Sequence, residues 1–347
     1  MKRTIGITSV GLDLGAPHRG SAAAPAVFRA AGLTGVLQTL GHDIAAHHEI
    51  VQDDAAGAGP DRAARHLAAV VGVCTRLADT VELALRAGQF PLILGGDHSL
   101  AMGSVAGVVR HFRARGQELG VLWVDAHPDM NTPETSPSGN LHGMPLAALL
   151  GHGRDALTRI SGAAPALAPH NVVLFGVREI DRDEEDLVRR SGARVFRRTE
   201  IARRGVEVCL AEALDLLCSA GAGIHLSFDL DACDPEVAPG VTTPVHHGLD
   251  RGEALAICER LARSGRLASM ELVELNPSRD AENRTVELAV RLVASALAVD
   301  PSAQPHPEPA GAPPATGARS FAVAGTFDHR AGEGPRPGSN HHELSRS

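Results

Sequence analysis

Aromatic side chains are scarce in this sequence of 347 residues, and long hydrophobic runs and an excess of positive charge are missing. Tyrosine is absent and aromatic residues make up 3% of the chain, a compositional bias that says little about chemistry. No apolar run reaches the ~18–20 residues of a membrane-spanning helix, and the first ten residues (M-K-R-T-I-G-I-T-S-V) predict a strand rather than a signal peptide. The net charge of −8 leaves no basic face for nucleic acid. We therefore expect a soluble protein whose partners include neither a membrane nor a nucleic acid.

Cysteine is present but is not arranged for metal binding. The chain has an odd number of cysteines and no C-x-x-C pair: Cys74, Cys209, Cys218, Cys233 and Cys258. This spacing excludes a cysteine-ligated zinc site and fits reduced thiols in a cytoplasmic protein.

Short apolar strands alternate with amphipathic helices along most of the chain. Strands are predicted at 4–10, 35–40, 91–94, 121–124, 172–176, 194–196, 224–228 and 267–273. Helices are predicted at 25–32, 61–88, 183–191, 206–220, 251–264 and 285–299, with another ending near residue 116. The polar stretch 42–60 is predicted to form turns. Such alternation indicates a mainly parallel sheet with helices on both faces, which is a three-layer α/β/α fold.

The composition changes near residue 300. Beyond it the chain is rich in proline, alanine, glycine and polar residues, a composition that does not pack a core. The sequence therefore predicts one domain over residues 1–300 and a disordered tail over 301–347.

Metal-capable side chains follow three of the predicted strands. They are His98 after the strand at 91–94, Asp125, His127 and Asp129 after the strand at 121–124, and Asp229 and Asp231 after the strand at 224–228. The alternate spacing within the second group places its members on one side of an extended chain. Since ligands collect at the carboxyl edge of open parallel sheets, all six side chains can converge.

The charge of these side chains indicates what they would hold. Four carboxylates carry about −4, and buried like charges need compensation, which two divalent cations would supply. Bridging carboxylates would keep the cations ~3.5–4 Å apart. Oxygen-rich ligation with some imidazole and no thiolate favours Mn²⁺ over a structural zinc. The alternative is that two unrelated acidic turns and a histidine at a helix start occur together by chance.

Four motifs, in order along the chain, resemble the signatures of the ureohydrolase family: G-G-D-H-S, D-A-H-P-D, S-F-D-L-D-A-C-D-P and E-L-N-P. The segment N-T-P-E-T-S-P-S-G-N-L-H-G resembles the loop of the arginases within that family, where agmatinases have a different loop. The resemblance covers about residues 3–299. It implies an arginase-like fold, a cytoplasmic homo-oligomer (trimer or hexamer), and hydrolysis of L-arginine to L-ornithine and urea by a metal-bridging hydroxide.

The same resemblance implies two Mn²⁺ ions per subunit and assigns their ligands. The first ion would be held by His98, Asp125, Asp129 and Asp229, and the second by Asp125, His127, Asp229 and Asp231. Two aspartates, Asp125 and Asp229, would then bridge the ions, which agrees with the charge argument.

The resemblance also implies catalytic and substrate-binding residues. Glu274 matches the glutamate that binds the guanidinium group. His142 matches the proton-shuttling histidine, and an ordinary pKa near 6.5 suits that role. The catalytic set is completed by the metal ligand Asp129. The substrate contacts are Asn131, Ser138 and Asn140 for the α-carboxylate, Asp181 with Glu184 for the ammonium group, and Thr243 near the substrate.

Four residues depart from the family pattern, which has glycine where this chain has Thr242 and His247, and aspartate where it has Glu179 and Glu271. None of them is an implied metal ligand, so they bear on substrate preference rather than on the hydrolase class. Two alternatives are a ureohydrolase acting on another guanidino acid or amine, of the agmatinase or guanidinobutyrase type, and an inactive metal-binding homologue. A metal deacetylase of similar topology is disfavoured by the carboxylate-rich ligand set.

Overall fold

Parallel strands form the centre of the computed structural model, which describes residues 2–54 and 61–298. Within these residues the sheet has eight strands: β1 (Thr4–Gly11), β2 (Asp43–Val51), β3 (Phe90–Leu94), β4 (Leu119–Val124), β5 (Val172–Val177), β6 (Arg194–Arg197), β7 (Gly223–Asp229) and β8 (Leu267–Val273). Their order is β2-β1-β3-β8-β7-β4-β5-β6, and every neighbouring pair is parallel. The carboxyl ends of the central strands β3, β8, β7 and β4 therefore meet at one edge.

Helices cover both faces of this sheet. On one face lie α1 (Ala24–Ala30), α2 (Leu33–Thr39), α8 (Arg198–Arg204), α9 (Val206–Ala220), α10 (Arg251–Ser264) and α11 (Arg284–Ala296). On the other lie α3 (Leu67–Arg86), α4 (Ala101–Arg113), α5 (Pro145–Leu149), α6 (Asp155–Thr158) and α7 (Glu185–Ser191). Successive residues of β4 point to opposite faces, with Leu122 and Val124 in the first core and Val121 and Trp123 in the second. The predicted three-layer α/β/α fold is confirmed.

The central strands are the elements that the sequence predicts best. β3, β4, β5 and β7 are buried along their whole length. A parallel strand that is covered on both faces reads as a continuous apolar run, and such runs are short enough to be told from helices.

Two predictions near the outer strand β2 are wrong. The strand predicted at 35–40 is helix α2, in which Leu33 and Leu37, four residues apart, are buried. The stretch 42–60, predicted as turns, contains β2. β2 lies at the edge of the sheet, where it pairs only with β1, and Ile50 is its one buried residue. An edge strand with polar, exposed side chains lacks the alternating apolar pattern from which strands are predicted. The short helices α5, α6 and α8 are also missing from the prediction.

Three further sequence predictions concern the tail, membrane-spanning segments and the cysteines. The tail predicted for 301–347 lies outside the described residues. Among the described helices, none combines the length and the apolar character needed to cross a membrane. The five cysteines are free, as their spacing predicts.

Candidate active site

A tight turn after β3 delivers His98 to the carboxyl edge of the sheet. Gly95 and Gly96 have φ values of 93° and 83°, in the left-handed region that favours glycine. A Cβ atom on Gly96 would also come within 2.7 Å of Leu100. The backbone N–H of His98 then donates to Oε1 of Glu274 at 2.9 Å. This bond joins the turn after β3 to the residue that follows β8.

Four buried side chains meet around one atom, Nδ1 of His98. Its distances to the Oδ2 atoms of Asp125, Asp129 and Asp229 are 3.1, 3.0 and 3.1 Å. Neither this Nδ1 nor Oδ2 of Asp129 has a hydrogen bond of good geometry within the described residues. A single proton on the nitrogen could satisfy only one of the three oxygens, whereas a cation among them would satisfy all three. We call these four residues the first metal group.

A second group forms around His127. Its Nδ1 lies 3.1 Å from Oδ2 of Asp231 and 3.5 Å from Oδ1 of Asp125. Asp125 thus contributes one oxygen to each group. Asp229 lies in the first group, and its Oδ1 accepts a hydrogen bond from the backbone N–H of Asp231 at 2.8 Å. The structure brings the six side chains together, while bridging by Asp229 stays a prediction.

The electrostatics of the first group indicate a shortage of positive charge. Burial and the charges of Asp231 and Asp125 raise the pKa of Asp229 well above its ordinary value. Burial and Asp125 likewise raise the pKa of Asp129 to about 6. Burial alone would lower the pKa of His98, yet the surrounding carboxylates raise it well above its ordinary value. Divalent cations would supply the missing charge, so the donor set fits two metal ions.

A polar cavity of about 180 Å³ opens over these groups. Its lining comprises His127, Asp129, Asn131, Ser136, Ser138, Asn140, His142, Gly143, Glu179, Asp181, Glu184, Asp229, Asp231 and Thr243. All six residues that the resemblance assigns to the substrate are in this lining. Ser136 and Gly143 were not predicted, although both lie in the polar loop that follows β4. Glu179 also lines the cavity, although the sequence assigns it no role beyond its departure from the family pattern.

Residues assigned to the two α groups of the substrate, its carboxylate and its ammonium group, are hydrogen-bonded to each other. Nδ2 of Asn131 donates to Oδ2 of Asp181 at 2.9 Å. The carboxylate of Glu184 accepts from the backbone N–H groups of Met130 at 2.7 Å and Asp181 at 3.2 Å. Burial raises the pKa of Glu184 to about 8 although these bonds oppose the shift. Glu184 therefore holds the polar loop against the segment that leads into α7.

The other assigned substrate residues also have partners within the site. The backbone N–H of Asn140 donates to Oγ of Ser138 at 3.2 Å. Oγ1 of Thr243 donates to Oδ2 of Asp231 at 3.1 Å. Thr243 thus contacts a member of the second group directly, a contact that the sequence did not predict.

His142 and Glu274 form a buried pair beside the first group. Oε1 of Glu274 accepts from Nδ1 of His142 at 3.2 Å, whereas Oε2 is buried without a hydrogen-bond partner among the described residues. Burial opposes ionisation of both groups, yet their contact raises the pKa of His142 to about 9 and lowers the pKa of Glu274. Glu274 has a φ of 64°, and its backbone N–H is held by the carbonyl of Gly96 at 2.9 Å. The backbone of Glu274 is therefore strained, as is common at functional sites. The free oxygen of its buried carboxylate is a suitable acceptor for a cationic substrate.

The departures from the family pattern lie near the site without disrupting it. Oγ1 of Thr242 accepts from Nδ2 of Asn276 at 3.4 Å. Oε2 of Glu179 lies 4.0 Å from Nε2 of His127. His247 has a φ of 64°, so a non-glycine residue occupies the conformation for which the family uses glycine.

This conformation predicts the effect of replacing His247. A left-handed backbone costs ~1–2 kcal/mol for an ordinary residue, while the freedom of glycine in the unfolded chain costs ~0.5–1 kcal/mol. We expect His247→Gly to leave the free energy of unfolding unchanged or to raise it by up to about 1 kcal/mol, and His247→Val to lower it. Chemical denaturation measures both. A clear fall for the glycine variant would show instead that the imidazole itself stabilises the loop.

The fold and the site together define a class of protein: a three-layer α/β/α protein in which two histidine–aspartate groups share one carboxylate beneath a polar cavity, as in binuclear metallohydrolases. Within this class the chain belongs to the arginase family, whose family model matches residues 3–299. The resemblance inferred from the four motifs is confirmed.

Individual relatives agree with this assignment. The chain is 43% identical to the arginase of Bacillus caldovelox over 299 residues, which are 84% of this chain and 97% of the relative. The crystal structure of that arginase at pH 5.6 superimposes with a TM-score of 0.82, covering 86% of this chain and 99% of the other. The Entamoeba histolytica arginase, solved in complex with L-ornithine, has 29% identity and a TM-score of 0.78, covering 86% of this chain and all (100%) of the other.

Proposed function

We propose that this protein hydrolyses L-arginine to L-ornithine and urea at a pair of Mn²⁺ ions. The observation that carries the proposal is Asp125, which contributes one oxygen to each histidine–aspartate group at the floor of a polar cavity. Relatives at about 40% identity over most of the chain are arginases, and one more distant arginase was solved with L-ornithine.

The donor set supports Mn²⁺ as the metal. Carboxylate oxygens and two imidazole nitrogens surround the two positions, and no thiolate is among the donors. When bound, the pair of ions would lower the pKa of water towards neutrality and so supply the nucleophile for hydrolysis. His98, Asp125, Asp129 and Asp229 would hold one ion, and Asp125, His127, Asp229 and Asp231 the other.

The buried pair beside the first group supports the choice of a guanidinium substrate. A guanidinium is planar and always charged, so a carboxylate must orient it. Oε2 of Glu274 is free for this purpose, since Oε1 already accepts from His142 and from the backbone of His98. The protonated imidazole of His142 lines the cavity and can deliver a proton to the leaving amine.

Four residues of the cavity lining support an amino acid rather than a simple amine as the substrate. Asn131, Ser138 and Asn140 offer hydroxyl and amide groups to an α-carboxylate, while Asp181 offers a carboxylate to an α-ammonium group. Because Asn131 donates to Asp181, these two subsites form one hydrogen-bonded unit. Agmatine lacks the carboxylate and would leave the donors unpaired, which disfavours it.

Urea release tests this function. The protein is reconstituted with Mn²⁺ and assayed with L-arginine, agmatine, 4-guanidinobutyrate and other guanidino acids. We expect arginine to have the highest kcat/KM. A higher value for agmatine or guanidinobutyrate would replace the proposal with the related ureohydrolase activity, and no urea from any substrate would favour an inactive metal-binding homologue.

A substitution at Ser138 tests the substrate orientation. Removing a hydrogen bond to a charged group costs ~1.5–3 kcal/mol, so Ser138→Ala should raise KM for arginine about tenfold or more. Since the carboxylate is remote from the reacting atoms, kcat should change little. Steady-state kinetics measure both constants. A fall in kcat with an unchanged KM would contradict the placement of the carboxylate at Ser138.

The assembly and the domain extent belong to the same proposal. We take residues 1–300 as the catalytic domain of a homo-oligomer, a trimer or a hexamer, that acts in the cytoplasm. Free cysteines and the absence of a membrane-spanning helix among the described residues are consistent with this. Light scattering coupled to gel filtration distinguishes these assemblies from a monomer.

A further inference from the structure

A chain of buried polar side chains runs from the far side of the His98 ring into the sheet. Nε2 of His98 lies 2.8 Å from Oγ of Ser227 on β7. That hydroxyl donates to Oε1 of Glu271 on β8 at 2.6 Å, and Ser104 on α4 donates to the other oxygen of Glu271. All four side chains are buried. None except His98 has a role in the proposed reaction.

The direction of these hydrogen bonds determines which nitrogen of His98 carries a proton. An ionised carboxylate can only accept hydrogen bonds, so Ser227 donates its single hydroxyl hydrogen to Glu271. The oxygen of Ser227 must then accept from His98, which places a proton on Nε2, so in the neutral ring the lone pair is on Nδ1. Nδ1 is the atom that faces the three carboxylate oxygens of the first metal group. This is the tautomer that a metal ion at that position requires.

Two further contacts keep this arrangement in place. Nε2 of His225 lies 3.5 Å from Oε1 of Glu271, and this contact lowers the pKa of Glu271 although burial opposes the shift. The ring of His98 stacks on Trp123, with centroids 4.2 Å apart and an interplanar angle of 13°. The stacking fixes the plane of the ring, and the bond to Ser227 fixes its orientation within that plane.

We propose that Glu271, acting through Ser227, is a positioning residue that holds the His98 ring with its Nδ1 directed at the first metal position. This inference rests on the proposed metal site but not on the identity of the substrate. Glu271 is also a departure from the family pattern, so the side chain that reaches Ser227 here is longer than the expected aspartate.

Titration with Mn²⁺ alone tests the inference in the full-length, metal-free protein. Trp123 is the only tryptophan of the chain; it stacks on His98 and donates to Oδ2 of Asp125, so quenching of its fluorescence by Mn²⁺ reports binding beside His98. We expect Ser227→Ala to weaken binding there ~10–100-fold, the usual effect of losing such a partner. Glu271→Gln should also weaken binding, because an amide donates as well as accepts and no longer fixes the hydrogen-bond direction.

Ser161→Ala is the matched control. Ser161 is buried in the segment between α6 and β5, and its hydroxyl donates to the carbonyl of Ala163 at 2.6 Å, away from the cavity lining. We expect this variant to bind Mn²⁺ like the wild type even if its melting temperature falls as much as that of Ser227→Ala. The melting temperatures of the metal-free proteins are compared so that lost packing is separated from lost metal affinity.

Each other outcome overturns a stated part of the inference. Wild-type affinity in Ser227→Ala, or equal weakening in Ser161→Ala, would refute the positioning role of the chain. Weakening in Ser227→Ala but not in Glu271→Gln would remove Glu271 from it. If Ser227→Ala does not fold, the volume-conserving Glu271→Gln decides alone, and unchanged affinity refutes the proposal. Because affinity is read without substrate, a wild type that binds Mn²⁺ but releases no urea would overturn the proposed function only.

Discussion

Asp229→Asn is expected to abolish metal binding and urea formation while leaving the metal-free protein at least as stable as the wild type. Asp229 is crowded by like charges, and its pKa is raised well above the ordinary value by burial, Asp231 and Asp125. Asparagine removes one of these charges. Its Oδ1 can still accept the backbone hydrogen bond from Asp231 that the aspartate accepts at 2.8 Å.

The size of the effect follows from the chemistry that the metal supplies. A bound metal contributes several kcal/mol of rate acceleration, and ~1.4 kcal/mol corresponds to a tenfold change in rate. Urea formation should therefore fall by at least about 10³-fold. In the wild type, Mn²⁺ should raise the melting temperature because it binds the folded state, and the variant should lose this increase.

Metal content, melting temperature with and without Mn²⁺, and urea release are measured together. Asp186→Asn is the control, since Asp186 is exposed on α7 and pairs with Arg189 at 2.8 Å, away from the cavity lining. A variant that still binds two ions per subunit would exclude Asp229 as a ligand. A large loss of stability in the metal-free variant would show that the carboxylate has a structural role instead.

Glu274→Gln should leave metal binding intact and strongly lower kcat/KM for arginine. The amide oxygen can still accept from the backbone of His98 and from His142, so the local geometry is retained. The charge that would face a guanidinium is lost. Truncating one partner of a buried, hydrogen-bonded charge pair costs ~2–5 kcal/mol, so kcat/KM should fall by about 30- to 5,000-fold. Metal content measured by mass spectrometry should remain that of the wild type.

The same variant should change the pH dependence of the residual activity. Glu274 raises the pKa of His142 to about 9, against the effect of burial. Without that charge His142 loses its proton at a lower pH. If His142 supplies a proton to the leaving amine, the alkaline limb of the pH–rate profile should move to lower pH. Glu287→Gln, an exposed change on α11, should alter neither the rate nor the profile; an unshifted limb in Glu274→Gln would argue against the His142 role.

Much of the architecture could be predicted because the central strands are buried on both faces. Their apolar runs stand out from the helices, and the polar residues that follow them mark the carboxyl edge of the sheet. The two wrong assignments of strand and turn lie where burial is weak. β2 is an edge strand whose polar side chains resemble a loop, and α2 is too short to show a clear period of 3.6 residues.

The contacts that organise the site could not be predicted in the same way. Ser104, Ser227 and Glu271 come from three different elements. No motif or regular spacing in the sequence links these three positions. The bond between Asn131 and Asp181 joins two loops that are 50 residues apart. Such contacts depend on strand order and packing, which the periodicity of a single segment does not reveal.

The sequence by itself determined the parallel α/β class and the set of side chains able to hold cations, because burial on both faces and carboxylate–imidazole chemistry are properties of short segments. Only the tertiary structure decided how these side chains combine. The order β3-β8-β7-β4 brings His98 and Glu274 into contact although they are 176 residues apart. It also decides which oxygen of Asp125 joins each group and which nitrogen of His98 faces the metal position, since these orientations are fixed by packing and hydrogen bonds between distant elements.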